Sequence, residues 1–175
     1  TSSVGNRSIA IGASDANGDR TVALNGETTG ANTIAINGVA NSQNAVAING
    51  IVDSQNAIAI GEEAKALGMD SVAFGFEAQA NAISSIAIGN NSITNRSGAI
   101  ALGRNAATSG VAGIAIGSIA NASGRNSVAI GYNAEASGTR NIAIGENACK
   151  YATGSNKICI GANSGPASGD SWAQD

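Results

Sequence analysis

The chain has 175 residues, including 24 Gly, one Pro and no His; aromatic residues make up 3%, charged residues 12%, and the net charge is −3. That charge balance argues against a nucleic-acid binder, because neutralising phosphates takes clustered Lys and Arg; the missing His excludes imidazole acid–base catalysis, His-based triads and His metal ligands. No apolar run reaches membrane-spanning length and no signal peptide opens the chain, and the sequence starts and stops in mid-pattern, as an excised piece of a longer protein would.

In chain order, one pentad recurs from end to end. Its first large aliphatic falls at Ile9, Val22, Ile34, Val46, Ile58, Val72, Ile86, Ile100, Ile114, Val128, Ile142 and Ile158. The steps are 13, then 12 three times, then 14 six times, then 16. Self-similarity at a nearly fixed period is the mark of a solenoid, one coil per repeat. In Ser127-Val128-Ala129-Ile130-Gly131 the two large residues are two apart, so they share one face of a β-strand and Ala129 takes the other. Ala134-Glu135-Ala136 alternates again as a shorter second strand. Gly131-Tyr132-Asn133 and Ser137-Gly138-Thr139-Arg140 are turn formers.

Each coil therefore reads strand, tight turn, short strand, tight turn. In three early coils the first turn is Asn25-Gly26, Asn37-Gly38 or Asn49-Gly50, dipeptides suited to positive φ. The predicted fold is all-β, a parallel β-roll of about twelve coils of 12–16 residues, with strands about 4.8 Å apart in two sheets. The roll spans residues 1–165; residues 166–175, with Trp172, form a non-repeat tail or the start of a connector.

The pentad centre is Ala10, Ala23, Ala35, Ala47, Ala59, Ala73, Ala87, Ala101, Ala115, Ala129 and Ala143, with Cys159 in the twelfth copy. A solvent-facing strand position drifts through Thr, Lys, Gln and Glu; this one does not. Its opposite face is Ile, Val, Leu or, once, Phe74. Both faces of the first strand are thus expected to be buried, although one thin roll has a single interior. Identical neighbours are the simplest cover for the other face. Low strand propensity argues against Ala as a mere filler.

The pattern N-S-V-A-I-G-x-x-A-x-A-S-G, carried from roughly residue 4 to residue 165, resembles the YadA-like head repeat of trimeric autotransporter adhesins. The resemblance implies a left-handed parallel β-roll, trimerised about its long axis, at the tip of a coiled-coil stalk. It also implies a non-catalytic adhesin head on the bacterial cell surface, anchored in the outer membrane by segments beyond this sequence. Such heads attach to host extracellular matrix, cells or abiotic surfaces, so the expected partners are the chain itself and a host matrix protein or surface. The matching repeats are the structural part and specify no ligand. Three departures stand out. The early coils step by 12 where the family favours 14, so a second strand or a turn is trimmed. Neck, stalk heptads and membrane anchor are absent, and Gly145 to Ile158 carries a two-residue insertion with both cysteines, Cys149 and Cys159.

Residues expected in the core or at trimer contacts are Ala87, Ala101, Ala115, Ala129, Ala143, Ile88, Ile116 and Ile130. Two arrangements are open. In one, Val and Ile and the second strand's Ala fill each roll, and residues of the Ser127 and Ala129 type pack at the axis. In the other, the large residues meet at the axis and the alanines line a very narrow roll. The first is favoured here, because facing sheets about 10 Å apart suit a large residue opposite a small one.

No catalytic, metal or cofactor site is expected. Glu62 and Glu63 pair two carboxylates, but strand neighbours point to opposite faces, and an exposed turn keeps them apart in function. Gly103 to Gly117 is Gly-rich yet lacks the helix and lysine of a phosphate loop. Calcium-binding repeats need an Asp in every coil. An even cysteine count in an exported protein suggests a Cys149–Cys159 bond, within or between chains; otherwise Cys159 stands in for a buried Ala. Adhesive contacts are expected from turns and outward positions such as Glu77, Gln79, Asn121 and Glu135. Residues 1–80 carry three basic and eight acidic side chains and residues 81–175 carry six and four, so the rod is electrically uneven. The alternatives are an ice-binding solenoid, against which the irregular Thr positions argue, or a purely structural spacer.

Overall fold

The computed structural model describes residues 2–152 and 154–166. Each pentad forms one three-residue strand, from Ile9–Ile11 through Val128–Ile130 to Ile158–Ile160, and the twelve strands stack in chain order into one parallel sheet. Ten two-residue strands, from Ser2–Ser3 to Asn121–Ala122, stack likewise into a second. Glu135 extends the second sheet by a single bridge to Asn121. The first is termed the wide sheet and the second the narrow sheet. The chain crosses between them at every turn, making about 11 turns with no helix among the described residues. The expected tail, residues 166–175, lies outside the described residues except for Pro166.

Register holds along the whole rod. Ala87 pairs with Ala101, and the column continues through Ala115, Ala129 and Ala143 to Cys159. The turns are hydrogen-bonded between coils as well: the Glu77 amide donates to the Glu62 carbonyl and the Asn91 amide to that of Phe76, both at 2.9 Å.

The favoured arrangement of the two faces is overturned. The alanine column points into the roll, where Ala87, Ala101, Ala115, Ala129 and Ala143 are fully buried within a single chain. The residue before each strand points the same way, as in the buried Ser71, Ser85 and Ser127. One coil's interior is therefore four small side chains, such as Ser127, Ala129, Ala134 and Ala136, all inaccessible. The large residues face outward. The cause is closure: only four residues join Ile58–Ile60 to Lys65–Ala66, and only five lead from there to Val72–Phe74. Sheets tied so tightly leave room for one thin layer of side chains, and a Leu or Ile inside would overpack it.

The same limit explains the shortened coils. Two residues, Asn25 and Gly26, join Val22–Leu24 to Glu27–Thr28, so the first turn is the trimmed part. Gly then takes an inward position that Ala64 or Ala78 holds elsewhere, and its partner can grow: Val52, two residues after Gly50, is the largest fully buried side chain.

The glycine that ends the pentad has two reasons to be glycine. At Gly103 φ is +136°, and a Cβ there would sit 2.5 Å from the carbonyl oxygen of Gly117 one coil on. In several coils the hydroxyl that opens the pentad also bonds inside the turn. Thr21, Thr33 and Ser127 each donate to the carbonyl three residues back, at 3.0, 3.1 and 2.7 Å, closing the second turn. Asn141 replaces that hydroxyl where the insertion widens the coil, donating to the Gly154 carbonyl at 3.0 Å and accepting from the Lys157 amide at 2.9 Å. Cys149 of this coil and Cys159 of the next form a disulfide across a Cα–Cα distance of 5.4 Å. Both are buried, so the bond staples the last turns where the stacking runs out.

Candidate functional site

Two outer surfaces result. On the wide sheet, two parallel columns of large side chains face away from the roll. Toward the middle Ile88 is 38% and Ile116 36% exposed, and at the end coil Ile158 and Ile160 are 64% and 68% exposed. Ile130 is half-buried. Side-by-side packing along the column covers about half of each residue and leaves an unbroken apolar strip. Two expected site groups thus separate: the five alanines belong to the roll interior, and Ile88, Ile116 and Ile130 to this strip.

The narrow sheet presents a single outward column that reads Lys65, Gln79, Ile93, Ala107, Asn121 and Glu135 in register. Of the expected binding residues, Asn121 and Glu135 are therefore adjacent. Ser137 Oγ donates to Glu135 Oε1 at 2.7 Å and holds that carboxylate on the surface. Gln79 lies on the same column three coils away, on the order of 14 Å. Glu77 sits off the column, in the preceding turn at φ 54°. Glu62 and Glu63 are exposed in the first turn of their own coil, with Glu63 at φ 59°. Among the described residues no group of three or more His, Cys, Asp or Glu could hold a metal ion.

Ladders of asparagine were not anticipated. Asn32 Nδ2 donates to Asn44 Oδ1, Asn44 Nδ2 to Asn56 Oδ1 and Asn56 Nδ2 to Asp70 Oδ1, at 3.0, 2.8 and 2.9 Å. Asn133, Asn147 and Asn163 form a second ladder, at 2.7 and 3.1 Å. Every one of these residues has its backbone at positive φ, for instance Asn44 at 57° and Asn133 at 52°, and all but Asp70 are Asn. Asn tolerates that conformation better than other side chains and, stacked, satisfies its amide on the coil above. The signal was present as Asn recurring at the repeat period, 32, 44 and 56.

Stacked parallel strands, an interior of small side chains and an apolar outer strip together define a β-roll repeat protein, a parallel β-solenoid. The YadA head domain repeat model matches residues 53–78, 68–92, 80–106, 97–120, 109–134 and 122–148, and the chain belongs to that family. Among solved structures it is similar to the collagen-binding domain of the Yersinia adhesin YadA, with 30% identity over 77% of this chain and 68% of that one and a TM-score of 0.49. No curated protein sequence matches.

Proposed function

We propose that this roll is the head of a homotrimeric adhesin displayed on a bacterial surface, attaching its cell to host extracellular matrix, host cells or abiotic surfaces. The observation that carries the reading is the unbroken apolar strip on the wide sheet. A contiguous exposed apolar face of that length marks an association surface. Closed symmetry lets identical copies bury it against one another, and three rolls around an axis parallel to the rod would each turn the strip inward. Adhesion then falls to the surfaces left outside, namely the turns and the narrow sheet with Glu77, Gln79, Asn121 and Glu135. The stacked coils supply persistence, since only the end coils expose sheet edges from which unfolding can start.

Light scattering on the purified chain is expected to report three copies at micromolar concentration; a folded monomer would overturn the trimer. A binding panel of collagen, fibronectin, laminin and bare plastic is expected to show attachment that weakens when Glu77, Gln79, Asn121 and Glu135 are neutralised together. Thermal hysteresis without attachment to any of the four would favour ice binding, and neither would leave a spacer.

A further inference from the structure

We propose that Phe74 and Phe76 of one copy seat against Leu67, Met69 and Ile83 of its neighbour, and that this contact sets the axial register of the three rolls. The inference rests on the trimer reading above and adds what that reading lacks. An interface made of repeated Ile and Val rows is nearly degenerate along the rod. Sliding one copy by one coil, about 4.8 Å, re-forms almost every contact, as happens in flat strands and uniform coiled coils that carry no register device. Something irregular has to select one alignment.

The irregularity is concentrated in one place. The chain's two Phe and its single Met all fall between residues 69 and 76. Phe74 is the one aromatic in the outward columns of the wide sheet, paired with Ile60 on one side and Ile88 on the other. It is 50% exposed, and Phe76 in the following turn is 42% exposed. At the opposite end of the same strand, the preceding turn exposes Leu67 and Met69 by 40% and 43%, and the equivalent turn one coil on exposes Ile83 by 51%. Leu67, Met69 and Ile83 line one shallow cleft, with Asn81 and Arg96 among its other walls.

Three-fold symmetry brings these together. When three wide sheets face a common axis, the end of each strand meets the start of the next copy's strand, a heterologous contact that closes after three steps. Rotation about an axis parallel to the rod leaves height unchanged, so Phe74 and Phe76 come level with the neighbour's Leu67, Met69 and Ile83. A slip of one coil would replace Leu67, Met69 and Ile83 by Asp53, Gln55 and Met69 on one side, or by Asn81, Ile83 and Ser97 on the other. Either slip takes away two of the three apolar residues that cover the rings.

The test places cysteines at both ends of the contact. With Phe76→Cys and Met69→Cys in one chain, mild oxidation is expected to yield a covalent trimer on a non-reducing gel. The two positions lie at opposite ends of one strand, so a link within a single chain is not available. Phe76→Cys with Val111→Cys, which lies in the Met69 column three coils on, is expected to stay unlinked. Circular dichroism checks that both variants keep the wild-type fold, which exposed turn positions permit. A chain that is trimeric by light scattering but whose Phe76/Met69 pair stays unlinked, or links no better than the Phe76/Val111 pair, overturns the register contact and leaves the trimer standing. A monomeric wild-type chain overturns the trimer and the contact with it.

Discussion

The wide and narrow sheets share an interior and differ outside. Both turn mostly Ala, Ser or Thr inward, and both pair in register along the rod. Outside, the wide sheet holds Ile, Val, Leu or Phe in every coil, whereas the narrow sheet passes through Asp15, Val39, Lys65, Gln79 and Glu135. Backbone pairing therefore asks nothing of the outward residue. Uniformity on one outer face and drift on the other has to come from what each face meets, and the uniform face is the apolar one. In the proposed trimer, that half-buried face would be covered by the neighbouring copies.

Substitutions can break that contrast, in order of size. The largest effect belongs to the interior. Ala115→Glu puts a carboxylate, with no partner, into a layer one side chain thick, and burying an unpaired charge costs more than a domain's net stability. The expected result is no folded roll, read as loss of the strand signal in circular dichroism.

Next comes the wide sheet's outer strip. Ile116→Glu is expected to abolish the trimer at micromolar concentration in light scattering, while Glu135→Ala on the narrow sheet leaves the mass unchanged. Equal tolerance at the two positions would erase the distinction between the faces.

A smaller loss follows from opening the last coils. Cys149→Ser with Cys159→Ser frees a loop closed over a sequence separation of 10, for which chain entropy alone gives about 3 kcal/mol. The midpoint of denaturant unfolding is expected to fall accordingly, and Gly145 to Ile158 to become the first segment cut by protease.

The smallest effect is at the ladders. Asn44→Ala removes a side chain bonded to both Asn32 and Asn56 and leaves Ala at φ 57°. A loss of about 1 kcal/mol is expected from hydrogen bonding at an exposed site, with Asn44→Gly recovering part of it by relieving the backbone. If Gly recovers nothing, the ladder rather than the backbone carries the effect.

Much of this was readable in advance, and particular residues show why. The twelve markers from Ile9 to Ile158 each begin a strand of the wide sheet, because a period-2 alternation bounded by Gly and Asn is a local property. The Asn25-Gly26, Asn37-Gly38 and Asn49-Gly50 turns sit where the sequence places them, with the Asn at φ 48°, 48° and 54°, since few residues accept that backbone. Of the expected surface residues, Gln79, Asn121 and Glu135 lie on one column, as the alternation of the second strand required, but Glu77 belongs to the turn before it.

The amino-acid order by itself thus determined how many coils there are, where each strand begins and which residues share a face, because repeats and alternation are written within a few positions of one another. Only the tertiary structure decided which of the two faces is inside. Ala129 and Ile130 are equally good candidates for a core until the gap between the sheets is known, and that gap is set by closure of the whole coil. Turns of two to five residues draw the sheets together until small side chains alone fit between them, and the large ones are left on the outside.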